Sequence, residues 1–115
     1  MDSLFTQLRN VEAALFYNKD FVDFLEMNLA DLRKSSINNS PIFDLTEAQR
    51  ARADRNFNLL CNMAGIPYYL HWITLRINKL MSSSEYRPNM DDIYMVDMEM
   101  LGMLKLKFQE SQSIT

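Results

Sequence analysis

The stretch LFTQLRNVEAALFYNKDFVDFLEMNLADL, residues 4–32, decides the fold that we expect. It contains a repeat with alternating gaps of four and three residues, which we call the seam: Leu4, Leu8, Val11, Leu15, Asn18, Val22, Leu25, Leu29 and Leu32. A strict heptad repeat of this kind is typical of a helix that packs as a coiled coil against a partner. We therefore predict one long helix over residues 3–34, with the seam as an interface.

Asn18 is the polar member of the seam. In a continuous helix, a buried polar seam residue sets the register and the number of partner helices, at some cost in stability. The alternative is a break at Asn18, Lys19 and Asp20, with Asp20 as the N-cap of a second helix that folds back on the first. In that case the stretch is an ordinary helical hairpin, and the prediction of an oligomer is weaker.

Two further helices follow in the predicted order of elements. Residues 35–43 have the composition of a linker, and a helix over 44–64 begins with a capping box made by Asp44 and Glu47. Gly65 ends that helix, and Pro67 suits the first turn of a third helix over 66–81. The third helix is apolar over most of its circumference, which predicts burial at the centre of the fold. Residues 82–92 form a second linker.

The C-terminal residues 93–109 alternate between apolar and polar side chains. Val96, Met98 and Met100 fall on one side of this alternation, and the period of two predicts a β-hairpin with Met100, Leu101 and Gly102 as its loop. Its methionine-rich face suits an adaptable contact surface, so we add Val96, Met98 and Met100 to the predicted interface. The alternative is a fourth helix. The expected fold class is therefore mainly α with a C-terminal hairpin, and the alternative is an all-α four-helix bundle.

Composition restricts the chemistry available to the chain. Its 115 residues fit a single domain over 1–115, and its net charge is −3. Cys61 is the only cysteine and His71 the only histidine, which rules out an intrachain disulfide and a multi-cysteine zinc site. We expect His71 to be a packed, hydrogen-bonded residue. With two glycines in all, no phosphate loop is available, and we expect neither an enzyme nor a cofactor.

These observations favour a non-enzymatic structural protein. We expect it to assemble with other copies of itself or with other protein subunits, through helix–helix and hairpin contacts. A virus or phage particle is the preferred setting. The chain has no apolar run long enough to span a membrane and no secretory signal, so we expect a cytoplasmic or virion location.

Two other functions fit the pattern less well. Residues 44–108 are similar in layout to dimeric winged-helix DNA-binding regulators, with Lys105 and Lys107 on the hairpin as the wing. Only Arg76, Asn78 and Lys79 of the third helix suit base recognition, and the acidic net charge makes nucleic acid the less favoured partner. The second alternative is a small phage-type inhibitor or adaptor that binds a larger host protein.

Overall fold

The computed structural model of the chain describes residues 13–90 and 92–113 and is mainly helical. The helices are α1 (Lys19–Met27), α2 (Leu29–Asn39), α3 (Glu47–Arg52), α4 (Phe57–Met63), α5 (His71–Ile77) and α6 (Met98–Ser113), with 3₁₀ turns at Tyr68–Leu70 and Ser83–Glu85. The described residues form no strand, only an isolated antiparallel bridge between Ile42 and Tyr94. The fold therefore fits the all-α alternative. In the same part of the chain, no helix is long and apolar enough to cross a membrane.

The N-terminal stretch is divided at two asparagines. Residues 13–16 are helical, and the side chain of Asn18 then accepts a hydrogen bond from the N–H of Phe21 (3.2 Å) as the N-cap of α1. Asn28 separates α1 from α2 and donates its side-chain amide to the carbonyl of Phe24 (2.8 Å). Asparagine side chains compete with the helix for backbone groups, which explains both breaks. The single helix predicted over 3–34 is corrected accordingly, and the cap is Asn18, not Asp20.

The predicted second helix is also shorter than expected. The structure divides residues 44–64 into α3 and α4, with Arg55 in a left-handed conformation between them (φ 59°). The capping box at the start of α3 consists of Thr46 and Gln49, not Asp44 and Glu47. Gly65 ends α4 as predicted, with a φ of 78°. The linker expected at 35–43 begins later, because α2 continues to Asn39.

The C-terminal segment is the helix α6, so the predicted hairpin over 93–109 is wrong. Asp97 precedes the helix, and its carboxylate accepts hydrogen bonds from the N–H groups of Glu99 (3.1 Å) and Met100 (3.3 Å). Leu101, Leu104 and Phe108 lie on one side of α6 and are buried. The alternation with period two arises because α6 also carries apolar residues on its opposite side, which hides the helical pattern.

The core lies around α5, which covers only His71–Ile77 of the third helix predicted over 66–81, after the 3₁₀ turn at Tyr68–Leu70. Ile73, Thr74 and Ile77 of α5 are buried, and α5 packs against α2 and α4. The buried hydroxyl of Ser36 in α2 accepts a hydrogen bond from the N–H of Asp97 (2.9 Å). This contact joins α2 to the residue before α6, whose Leu101, Leu104 and Phe108 are buried in the core.

Candidate interaction surfaces

The predicted seam does not form a single surface. Leu4, Leu8 and Val11 lie outside the described residues. The other members differ in exposure: Leu25 and Leu32 are completely buried, Leu15, Val22 and Leu29 are partly buried, and Asn18 is exposed. Leu25 and Leu32 are part of the chain's own core, so they have no surface left for a partner.

The predicted interface residues near the C-terminus are also separated. Val96 is buried in the core, Met100 is partly buried against it, and Met98 is 51% exposed. Of these three residues, only Met98 presents a large apolar surface to solvent. It belongs to a larger exposed region on α6.

We call this region the outer face of α6 and define it by Met98, Gly102, Met103 and Leu106. Met103 is 51% exposed and Leu106 is 60% exposed. Met98, Gly102 and Leu106 follow one another at intervals of four residues, so they lie along one line on the helix surface. A Cβ atom placed on Gly102 would meet no atom of residues 13–90 and 92–113 within 4 Å, so this part of the chain leaves the space above the glycine open.

A cavity of about 100 Å³ lies beside Gly102. We call it the Gly102 cavity, and its lining residues are Phe16, Tyr69, Leu70, Met98, Leu101, Gly102 and Lys105. The lining is mostly apolar. The outer face of α6 therefore combines a projecting leucine, Leu106, with a cavity about one helical turn away.

A second surface, which we call the aromatic cleft, is lined by other side chains. Its volume is about 240 Å³, and it is lined by Tyr17, Asn58, Tyr68, His71, Trp72, Leu75 and Ser83. The rings of Tyr17 and Tyr68 are 6.4 Å apart and are exposed, with residue exposures of 56% and 73%. Desolvation, and then the electrostatic influence of Tyr68, raises the pKa of the Tyr17 hydroxyl above its ordinary value.

Local sequence explains how these side chains reach the cleft. The helical residues before Tyr17 end there because Asn18 caps α1, and Pro67 leads into the 3₁₀ turn that carries Tyr68. Ser83 lies near the start of α4, where its hydroxyl accepts a hydrogen bond from the N–H of Asn58 (3.1 Å). The cleft therefore combines residues from four separate parts of the chain.

His71 and Trp72 are two of the residues that line the cleft, and each has a buried ring nitrogen. The Nε2 atom of His71 lies 3.0 Å from the carbonyl oxygen of Ile66, which only accepts, so Nε2 carries the proton and donates. This confirms the packed, hydrogen-bonded histidine expected from the sequence. The other ring nitrogen, Nδ1, is buried without a partner in the described part of the chain. Nε1 of Trp72 is a buried donor that likewise has no partner there.

The residues proposed for base recognition are largely engaged inside the protein. The guanidinium of Arg76 contacts both carboxylate oxygens of Glu26 (3.0 and 3.1 Å), and this hydrogen bonding raises the pKa of Arg76. The side-chain amide of Asn78 donates to the carbonyls of Thr74 (2.8 Å) and Tyr94 (2.9 Å). The predicted wing is part of α6. The DNA-binding alternative therefore lacks the hairpin that was predicted as its wing. Two of the three residues proposed to contact bases, Arg76 and Asn78, already form hydrogen bonds inside the protein.

Within residues 13–90 and 92–113, no group of three or more histidine, cysteine, aspartate or glutamate side chains could hold a metal ion. Comparisons of the chain with protein-family models, with curated proteins and with solved structures gave no match. The outer face of α6 and the aromatic cleft are consequently interpreted from their own geometry.

Proposed function

We propose that this protein is a non-enzymatic assembly protein that binds a second copy of itself through the outer face of α6. The observation that carries the proposal is the combination of exposed Leu106 and the Gly102 cavity on one helix. Large exposed apolar side chains that lie together on a monomer are typical of an interaction site. Here three of them, Met98, Met103 and Leu106, belong to the same two turns of helix.

The arrangement is complementary to itself. If two α6 helices cross in opposite directions about the midpoint between Gly102 and Leu106, Leu106 of one copy lies over Gly102 of the other. Two-fold symmetry forms this contact twice. Residues spaced by four form the ridges that pack most commonly between helices in globular proteins, and Met98, Gly102 and Leu106 have this spacing.

The size of the effect follows from the exposure of Leu106. Burying a whole leucine side chain contributes about 1.5–3 kcal/mol, so the 60% that is exposed contributes about 1–2 kcal/mol in each copy. The two leucines together contribute about 2–4 kcal/mol, and burial of the exposed halves of Met98 and Met103 in both copies contributes about 3–6 kcal/mol more, before the cost of association is subtracted. We therefore expect a weak dimer. A particle built from many copies, such as a virus or phage, is a setting in which weak repeated contacts hold an assembly together.

Sedimentation equilibrium over a wide range of protein concentrations tests this proposal. We expect the wild type to form a reversible dimer and Leu106→Asp to weaken it by at least about 30-fold, because two buried leucines are lost. Met27→Asp is the matched control, since Met27 is an exposed apolar residue of α1 (85%) and should leave the dimer unchanged.

A second variant tests the cavity itself. Gly102→Leu fills the space that receives Leu106, so we expect it to weaken the dimer while circular dichroism shows the same helical content. The proposal is overturned if the wild type stays monomeric up to about 1 mM, a concentration at which even a weak dimer is populated. It is also overturned if Met27→Asp reduces dimerisation as much as Leu106→Asp does.

A further inference from the structure

We propose that the extended backbone around Ile42 pairs with the same backbone of a second copy of this chain, as two antiparallel strands related by two-fold symmetry. This contact goes beyond the outer face of α6, because it uses residues 40–44 and main-chain hydrogen bonds. Two different two-fold contacts on one subunit allow more than two copies to join, whereas either contact alone closes at a dimer. Each contact can be removed by substitution while the other is left intact.

The isolated bridge between Ile42 and Tyr94 leaves an outer edge on each of its two segments. The bridge is held by two main-chain hydrogen bonds, from the N–H of Phe43 to the carbonyl of Ile93 (2.9 Å) and from the N–H of Met95 to the carbonyl of Pro41 (3.1 Å). In this antiparallel pattern the two bridged residues exchange no hydrogen bond with each other. The N–H and carbonyl groups of Ile42 and of Tyr94 therefore point outward, away from the bridge.

The two outer edges differ in what covers them. At Tyr94, the side-chain amide of Asn78 accepts a hydrogen bond from the N–H (2.8 Å) and donates one to the carbonyl (2.9 Å). The main chain of Ile42 forms no hydrogen bond within residues 13–90 and 92–113. Ile42 is 45% exposed, and unpaired main-chain groups are rarely buried, so this edge faces solvent. An open strand edge is a template for pairing with another chain.

The edge is complementary to itself. In an antiparallel pair centred on Ile42, its N–H donates to the carbonyl of Ile42 in the second copy, and the symmetric bond forms in return. The same register places Ser40, which is extended (φ −107°, ψ 151°), opposite Asp44 of the second copy. A second copy therefore satisfies the open donor and acceptor of both edges at once.

Side chains and charges agree with this register. The two Ile42 side chains lie next to each other on one face of the pair, where each covers part of the other's exposed surface. Asp44 is the only charged residue of 40–44, and it faces a serine of the second copy, not the other Asp44. The pairing therefore brings no like charges directly opposite each other.

Disulfide trapping tests the register. The experiment uses a Leu106→Asp background, in which the contact through α6 is weakened. Ser40→Cys and Asp44→Cys proteins are mixed and treated with oxidised glutathione. Directly opposed residues have Cα atoms about 5.5 Å apart, which a disulfide spans, whereas two copies of residue 40 lie about 14 Å apart. We therefore expect the mixed dimer to exceed its statistical share over the two homodimers.

A second pair of variants tests the centre of the contact. In the same background, Ile42→Cys should form a disulfide-linked homodimer at least about tenfold faster than Met27→Cys, because only residue 42 faces its own copy. Met27 is the matched control, since it is an exposed apolar residue of α1 (85%). Cys61 is buried, so the added cysteine is the reactive thiol.

Sedimentation equilibrium measures the contact without added cysteines. We expect the Leu106→Asp protein to form a weak reversible dimer, and Ile42→Pro to weaken it by at least about tenfold, because proline lacks the N–H donor. The hydrogen bonds of the bridge come from Phe43 and Met95, so circular dichroism should show the same helical content. Ile42→Val is the matched control, because it keeps the N–H and a β-branched side chain and should leave the dimer unchanged.

The proposal is overturned if the Leu106→Asp protein stays monomeric up to about 1 mM. It is also overturned if the cysteine mixture gives a statistical distribution of dimers, or if Ile42→Pro and Ile42→Val dimerise equally. A segment of a different protein that occupied this edge would give the first two results. None of these results affects dimerisation of the wild type through α6, so failure of this proposal is distinguishable from failure of the other.

Discussion

Replacing Gly102 by alanine should make the protein more stable. Gly102 lies inside α6, where alanine is favoured over glycine by about 0.8–1.0 kcal/mol. A Cβ atom at this position meets no atom of the described residues within 4 Å, so they impose no steric penalty on the gain. We therefore expect the free energy of unfolding to rise by about 1 kcal/mol, which corresponds to an increase of roughly 4 °C in the melting temperature.

Gly65→Ala is the matched control, because the same substitution should have the opposite effect. Gly65 has a φ of 78°, a left-handed conformation that disfavours alanine by about 1 kcal/mol. Urea denaturation followed by circular dichroism measures both variants, at a protein concentration where the wild type is monomeric. If Gly102→Ala proved neutral or destabilising, the space above Gly102 would be occupied or residue 102 would not be helical, and the reasoning for the outer face of α6 would fail.

Three further outcomes are expected. Lys79 has a φ of 62° at the end of α5, so Lys79→Gly should raise the free energy of unfolding by about 0.5–1 kcal/mol in the same urea assay. The pKa of Asp97 lies below its ordinary value of 3.8, because the hydroxyl of Ser35 and then the N–H of Met100 donate to its carboxylate. The stabilisation from Asp97 is therefore present above pH 3.8 and is lost as the pH falls through the lower pKa of the folded state. In Asp97→Asn, the urea concentration at the midpoint of unfolding should accordingly depend less on pH between about pH 2 and pH 6 than it does in the wild type. Burial raises the pKa of Cys61 to about 12. A thiol reagent should therefore label the native protein slowly at mildly alkaline pH and rapidly once urea unfolds it. Fast labelling of the native protein would contradict the position of Cys61 in the core.

Residues close together in sequence account for the parts of the fold that could be predicted. Gly65 ends a helix because few other residues adopt a positive φ there at low cost, and the break at Asn18 was one of two interpretations that the residues allowed. The C-terminal hairpin was predicted wrongly for an identifiable reason. A helix with apolar residues on both sides shows no single apolar stripe, so the charges of α6 mimic the alternation of a strand.

The two candidate surfaces differ in how far the sequence indicates them. Met98 was predicted as an interface residue, but Met103 and Leu106 were not. Their signal is an excess of apolar residues in a helix that needs only one apolar side for its own core. Nothing in the sequence indicates the aromatic cleft, because Tyr17 and Tyr68 are far apart along the chain and meet only after folding.

The sequence by itself determined the helical class of this protein and several of its chain reversals, because helix propensity, caps and left-handed turns depend on atoms within a few residues of one another. Only the tertiary structure decided which apolar residues remain for a partner. Leu25 and Leu106 are the same residue type in helical surroundings, yet the first is completely buried and the second is 60% exposed. The difference arises because burial depends on which distant segment packs against each side of a helix, and the heptad spacing of residues 4–32 does not contain that information.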